Sequence, residues 1–169
     1  MTAFDTALAF VLRQEGGYSH DSADPGGETN LGISLRSHPE LDIRHLTAEQ
    51  AAEIYREEYW NPLQCDRLPL AVALVLFDLA VHSGVFRAVR MLQRTLGLDD
   101  DGVIGPITVM SVKHADPVRL VTELQLQRLS YLASLPTWPR YRIGWSRRVF
   151  ESHAEAMRLI ALNAGRSCV

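Results

Sequence analysis

The feature that most constrains the fold is an apolar stretch from Leu68 to Val81, which only Pro69 and Asp78 interrupt. A helix over residues 70–83 would be apolar on nearly every side, and such a helix has to be buried. The stretch is shorter than the ~18 apolar residues that a membrane-spanning helix requires. We therefore expect a helix at the centre of a protein core, and no membrane insertion.

Helical periodicity accounts for most of the remaining chain, which at 169 residues has the length of one domain. A first apolar stripe runs from Phe4 to Leu12, and Gly16 and Gly17 end that helix. The other predicted helices run from the Thr47 capping box through Tyr59, from Val85 to Leu96, from Pro106, from Pro117 to about Leu135, and from Ile143 to Asn163. The pattern predicts an all-α fold.

Residues 16–46 differ from this pattern because they are rich in turn-forming residues. Asp24 opens a Pro-Gly-Gly turn, and Thr29, Leu31 and Ile33 alternate as in a strand, which allows a short β-hairpin after the first helix. Functional residues concentrate on such irregular segments when a rigid scaffold holds them.

The net charge of −3 is unevenly distributed along the chain. Residues 1–112 contain 8 basic and 16 acidic side chains, whereas residues 113–169 contain 9 basic and 4 acidic ones. The basic third could face an anionic polymer or could simply be solvated helix faces. Nucleic acid is a poor candidate partner, since the basic residues are not interleaved with aromatic residues in a compact motif.

Two cysteines, Cys65 and Cys168, are too few for a disulfide framework, and the six histidines lack metal-ligand spacing. We therefore expect no metal and no cofactor. The first residues have no basic region before their apolar stretch, and Asp5 stands where a signal peptide favours Lys or Arg. We expect synthesis in the cytoplasm without a signal peptide.

Glu15 is the first candidate catalytic residue. It continues the stripe of Leu8 and Val11 and lies in the last turn of its helix, at the negative end of the helix dipole. Burial and the dipole both favour the protonated carboxyl group, which is the form that glycoside hydrolysis needs in a general acid. Taken alone, Glu15 could equally be a solvated residue at a helix end.

Asp24 and Thr29 follow Glu15 in the irregular segment. Two carboxylates in unlike environments, one partly buried and one in a polar turn, can divide into an acid and a base. The structural alternatives are a turn-forming role for Asp24 and a strand position for Thr29.

The order of these residues resembles a known family. Glu15-Gly-Gly-Tyr18, followed by the segment from Asp24 to Ile33, resembles glycoside hydrolase family 108, N-acetylmuramidases of phages and bacteria. Phage-type lysozymes have a similar order of Glu, Asp and Thr, with one more residue before the Thr. Other positions similar to the family are Tyr59-Trp60 with Pro62, Phe77-Asp78 through Ser83-Gly84, and Gly144-Trp145 with Arg147-Arg148.

The resemblance implies a lysozyme-like helical globule over residues 1–169, with a catalytic part over 1–88. In the helical part over 89–169, the segment from Leu92 to Thr108 resembles small peptidoglycan-binding modules, although it could also serve packing alone. The expected reaction is hydrolysis of the β-1,4 bond between N-acetylmuramic acid and N-acetylglucosamine. Glu15 would donate the proton, Asp24 would orient or deprotonate water or stabilise the oxocarbenium-like state, and Thr29 would help place that water.

Four further residues are expected to bind the glycan strand: Tyr18, Trp60, Asp78 and Trp145. The aromatic side chains could stack on sugar faces or pack in the core. Asp78, on the buried helix, could instead be structural, either holding the Glu15 loop or pairing with His82.

Two other functions remain open at this stage. A lytic transglycosylase also needs one acidic Glu, but the muramic 6-hydroxyl group replaces water. A non-catalytic wall-binding protein would bind peptidoglycan without cutting it. In each case the partner is peptidoglycan, the site of action is the cell wall or periplasm after holin- or secretion-assisted release, and we expect a monomer.

Overall fold

The computed structural model describes residues 1–20 and 27–166, without the side chains of His20 and Arg166. Its α-helices are α1 (Ala3–Glu15), α2 (Ala48–Tyr55), α3 (Leu70–Ser83), α4 (Val85–Thr95), α5 (Pro106–His114), α6 (Pro117–Ala133) and α7 (Trp138–Arg166). Its strands are β1 (Ser19–His20), β2 (Glu28–Asn30) and β3 (Ile33–Ser34). Short 3-10 turns cover Ile43–His45 and Cys65–Arg67.

Helix α3 lies at the centre of the molecule, and all of its residues from Ala71 to Ala80 are buried. It contacts α1, α4, α6 and α7, so elements from both halves of the chain surround it. The predicted all-α, lysozyme-like fold class is confirmed, and the cause is the one inferred from the sequence, since a helix without a polar face needs neighbours on every side. Among the described residues, no helix is long and apolar enough to span a membrane.

Local capping explains where several helices begin. The side chains of Thr2 and Thr47 each accept a hydrogen bond from the backbone N–H three residues later. In return, the side chains of Asp5 and Gln50 accept a hydrogen bond from the backbone N–H of the capping threonine. The side chain of Asp116 caps α6 by accepting from the backbone N–H of Arg119, and α5 and α6 both have proline in the first turn. The predicted starts of α2, α5 and α6 are confirmed.

The segment after α1 forms a small antiparallel sheet in the order β1-β2-β3. The predicted hairpin is present as β2 and β3, and Leu31 and Gly32 connect them with φ angles of 50° and 79°. Two left-handed residues are what a type I′ turn requires. Strand β1 adds a third member, with Ser19 opposite Thr29.

One predicted helix changes its type before it ends, and one predicted helix start is wrong. Helix α2 ends at Tyr55 and continues to Trp60 as a π turn, in which the amide of Asn61 donates to the carbonyl of Arg56. Helix α7 begins at Trp138 instead of Ile143. Pro139 tolerates this earlier start because the first turn of a helix does not use its N–H groups.

Candidate active site

Glu15 is the last residue of α1, and its carboxylate is held by an arginine from the other end of the chain. Gly16 ends the helix with φ 79° and turns the backbone away. The side chain of Glu15 is 22% exposed, and its Oε1 lies 2.7 Å from Nη1 of Arg148 on α7. The acid is therefore fixed in place but still accessible to a ligand.

Arg148 is fixed in turn by Asp78. Its Nε donates to Oδ1 of Asp78 at 2.8 Å, and Oδ2 of the same carboxylate accepts from Nη1 of Arg128 at 2.6 Å. Asp78 and Arg128 are completely buried. A second nitrogen of Arg128 lies 3.3 Å from Nδ1 of His82. The result is a continuous chain of charged groups from the centre of α3 to Glu15.

The charges in this series of side chains determine the protonation of Asp78 and His82. Complete burial by itself would raise the pKa of Asp78, but the charges and hydrogen bonds of Arg128 and Arg148 outweigh burial and hold that pKa below its usual value. Burial, with repulsion from the two arginines, lowers the pKa of His82 to about 4. Asp78 is thus a carboxylate and His82 is neutral at pH 7.

The small sheet contacts Glu15 from another side, through Gly32. A Cβ atom on Gly32 would come within 2.8 Å of Cγ of Glu15 and within 2.3 Å of the hydroxyl oxygen of Tyr55. The hydroxyl group of Tyr55 donates a hydrogen bond to the carbonyl of Leu31 at 3.0 Å. Burial raises the pKa of this hydroxyl well above its usual value. Only glycine fits between these two side chains, and the fit holds the hairpin against the end of α1.

A row of aromatic rings on α7 leads to the same place. Tyr141 stacks on Trp145 with the ring centroids 5.4 Å apart, and Trp138 lies 6.2 Å from Trp145. The rings of Trp145 and His82 are roughly perpendicular, with their centroids 5.8 Å apart. Trp145 and Arg148 are three residues apart, so they are neighbours on the surface of the helix.

Comparison with known proteins agrees with this geometry. A family model described as Glycosyl hydrolase 108 matches residues 8–84, and one described as Predicted Peptidoglycan domain matches residues 87–150. The structure of Brucella abortus SagA is similar, with 38% sequence identity, a TM-score of 0.84, and coverage of 92% of this chain and 94% of that chain. The chain belongs to the glycosyl hydrolase 108 family. No curated protein matches it.

Membership of the glycosyl hydrolase 108 family, together with the peptidoglycan domain match, makes the chain a peptidoglycan hydrolase and a glycosidase that acts on the cell wall. The structure brings together three of the residues that the sequence singled out, since Glu15, Asp78 and Trp145 are linked through Arg148 and His82. Among residues 1–20 and 27–166, no three His, Cys, Asp or Glu side chains form a group that could hold a metal ion.

Two other expected site residues of this glycosyl hydrolase, Thr29 and Tyr18, lie in the small sheet or directly before it. Thr29 is at the centre of the sheet, paired with Ser19 and Ser34, and is partly buried. Tyr18 is 45% exposed and its hydroxyl donates to Glu28. Asp24 lies outside the described residues.

Two expected glycan contacts are corrected by the structure. Trp60 is 0% exposed, packs edge-on against Phe4 and Phe77, and donates its indole N–H to Asp66. Asp78 is also 0% exposed, and it pairs with arginines rather than with His82 or the Glu15 loop. Neither side chain can touch a sugar, so Trp60 belongs to the core and Asp78 supports Arg148.

Roles for Arg148 and Arg128 were not predicted from the sequence. Arg148 was only a position similar to the family, and the environment predicted for Glu15 consisted of burial and the helix dipole. Arg148 is a further neighbour of Glu15 that neither effect includes, since its guanidinium group lies 2.7 Å from the carboxylate. A usable signal was present, since a buried Asp78 requires cationic partners and the arginines lie in the basic C-terminal third.

Proposed function

We propose that this peptidoglycan hydrolase is an N-acetylmuramidase, which cleaves the β-1,4 bond between N-acetylmuramic acid and N-acetylglucosamine with Glu15 as the general acid. The observation that supports this best is the carboxylate of Glu15, partly exposed at the end of α1 and held on one oxygen by Arg148. The contact occupies Oε1, which leaves Oε2 to carry the proton toward the glycosidic oxygen.

Accurate placement of this acid is the contribution of the surrounding elements. Gly32 and Tyr55 pack against its side chain, and Asp78 holds the arginine that contacts it. A general acid works only within hydrogen-bond reach of the oxygen that it protonates, and general acid catalysis contributes roughly 10²–10⁴-fold to the rate. The rigid surroundings of Glu15 fit this requirement.

The sugar must also develop positive charge and accept a nucleophile. We propose that Asp24 orients or deprotonates the attacking water, or stabilises the oxocarbenium-like state, and that Thr29 helps place that water. Thr29 is on the sheet whose hairpin turn contacts Glu15, which supports its place in the site. Of the four residues expected to bind the glycan strand, Tyr18 and Trp145 have exposed ring surface and remain the proposed sugar contacts.

The mass of the products tests this proposal. Purified sacculi are digested with the full chain, and the soluble fragments are analysed by mass spectrometry before and after borohydride reduction. A muramidase releases fragments with a reducible N-acetylmuramic acid end. An anhydro end, lighter by one water, would identify a lytic transglycosylase, a reducible N-acetylglucosamine end would identify a glucosaminidase, and binding without release would identify a wall-binding protein.

A further inference from the structure

The first three turns of α7 contain an aromatic face of which the proposed function uses only Trp145. Trp138, Tyr141 and Trp145 follow one another at spacings of three and four residues, and Arg148 continues the series. Residues at this spacing share one face of a helix. The aromatic face is therefore collinear with the arginine that holds Glu15.

These three rings are not part of the hydrophobic core that the described residues form. Tyr141 is 42% exposed, and Trp138 and Trp145 are partly exposed. They contact one another and His82. Trp60, the remaining tryptophan of the chain, is by contrast fully enclosed in the core. Aromatic rings that remain accessible beside a reactive group are suited to bind a ligand.

Positive charge accompanies the rings. Arg140 lies over the ring of Tyr141 at 5.2 Å from its centroid, and Arg142 is four residues from Trp138 and so adjacent to it on the helix. Both arginines are exposed, and neither has an ion-pair partner within residues 1–20 and 27–166. Guanidinium groups bind carboxylates through two parallel hydrogen bonds.

We propose that this face of α7 is a binding site for the glycan strand next to the scissile bond. The rings of Trp138, Tyr141 and Trp145 stack on the apolar faces of successive pyranose units, and Arg140 and Arg142 bind the carboxylates of the lactyl groups and stem peptides. The direction of the site follows from Trp145 and Arg148, which place its inner end beside Glu15. The identity of the ligand rests on the proposed function.

The test measures binding separately from cleavage. The full chain with Glu15→Gln is titrated with a tetrasaccharide of alternating N-acetylglucosamine and N-acetylmuramic acid carrying stem peptides, with the same tetrasaccharide without peptides, and with chitotetraose. Affinity is measured by calorimetry and by tryptophan fluorescence. We expect a change in emission that disappears in the Trp138→Phe/Trp145→Phe double variant, because its only remaining tryptophan is the buried Trp60.

The variants separate stacking from charge. Tyr141→Ala, at the most exposed ring, should weaken all three ligands about tenfold, in line with the usual strength of aromatic contacts. Arg142→Ala should weaken only the two ligands with carboxylates, and this difference should shrink at high salt. The matched controls are Phe150→Ala, exposed on another side of the same helix, and Arg119→Ala, at an exposed arginine on α6. Both should bind as the parent does.

Equal losses in the control variants, or unchanged affinity in Tyr141→Ala, would overturn the proposal. So would displacement of the tetrasaccharide by heparin at the same charge concentration, because the surface would then select charge alone. Far-ultraviolet circular dichroism confirms folding, and Trp145→Phe, which retains a ring against His82, replaces any alanine variant that unfolds. If the affinities follow the expected pattern but the Glu15→Gln chain still cuts the ligands, the proposed role of Glu15 fails and the binding site stands.

Discussion

Arg148 joins the carboxylate of Glu15 to the centre of the protein. One side of its guanidinium group is 2.7 Å from Glu15 and the other binds the fully buried Asp78, so the position of the acid is set by a helix that begins more than 120 residues later in the chain. The amide of Gln14, the residue before Glu15, also bonds to α7, through Glu151. Two side-chain contacts therefore join the end of α1 to the middle of α7.

Replacement of Glu15 by Gln should lower the rate at which soluble fragments are released from sacculi by about 10²–10⁴-fold. The reason is that the amide cannot donate a proton to the glycosidic oxygen. The fold should be retained, since Gln is nearly isosteric and its oxygen can still accept from Arg148. Glu151→Gln, at a nearby surface carboxylate, is the control and should remain active. A folded Glu15→Gln protein with near-normal turnover would exclude Glu15 as the acid.

Replacement of Arg148 by Lys should lower turnover by roughly 10- to 100-fold, because an ammonium group cannot bind Glu15 and Asp78 with the same geometry and small displacements of a catalytic group are costly. Since Arg148 acts through Glu15, kcat should fall more than KM rises. Arg147→Lys, at the exposed neighbouring residue, should change neither constant. A loss confined to KM would instead mean that Arg148 binds substrate.

Replacement of Asp78 by Asn should lower the free energy of unfolding by about 3–5 kcal/mol, because Arg128 and Arg148 would remain buried without a counter-charge. Asp100 offers a matched control, since it also pairs with two arginines, Arg90 and Arg94, but at the surface. Asp100→Asn should change stability little. Urea denaturation of both variants measures the difference, and similar losses would contradict the assigned role of Asp78.

Stability should depend on His82 in acid. Its pKa of about 4 in the folded protein lies below the usual 6.5, so as the pH falls through this interval the unfolded chain takes up a proton that the folded chain refuses. Stability should therefore decline by about 1 kcal/mol per pH unit from this group, and the decline should cease below pH ~4.

The contribution of His82 is isolated by urea denaturation of His82→Gln between pH 7 and pH 4.5. The variant should lose less stability over this range than the parent, whereas His114→Gln, at an exposed histidine, should lose as much as the parent does. Parallel curves for His82→Gln and the parent would show that the folded protein protonates His82 as readily as the unfolded chain.

Replacement of Gly32 by Ala should reduce both stability and activity, because its new methyl group would displace Glu15 and Tyr55. A left-handed backbone costs about 1–2 kcal/mol for a residue with a Cβ atom. Gly97→Ala is the control for that strain alone, since Gly97 has φ +70° but open space around it. Melting temperature and turnover should both fall further in Gly32→Ala, and equal effects in the two variants would show that the close approach is unimportant.

Much of the fold follows from local rules that the sequence displays. Helix α3 was predicted because fourteen consecutive residues leave almost no polar face, and the starts of α2, α5 and α6 were predicted from capping residues and prolines. These features depend only on residues that are close together in the sequence, and they can therefore be predicted from the sequence alone.

The connections around Glu15 could not be predicted in the same way. Whether Glu15 meets water, a carboxylate or an arginine depends on how α7 packs on α3, and periodicity does not determine which helices are adjacent. Trp60 illustrates the opposite error, since it was expected to contact a sugar, with core packing as the alternative, and it lies in the core. The importance of Gly32 is likewise visible only once Tyr55 and Glu15 are placed around it.

The two family matches meet near residue 85, but the structure has no boundary between separate units there, because ion pairs connect the two segments. A recombinant protein that kept residues 8–84 and exchanged everything after them would lose Arg128 and Arg148. Asp78 would then have no cationic partner, and Glu15 would lose the guanidinium group that contacts it. The two segments therefore depend on each other, and substitutions in one constrain what the other can accept. For the engineer, new wall specificity should be sought by redesigning exposed positions at the start of α7, while the arginines behind them stay untouched.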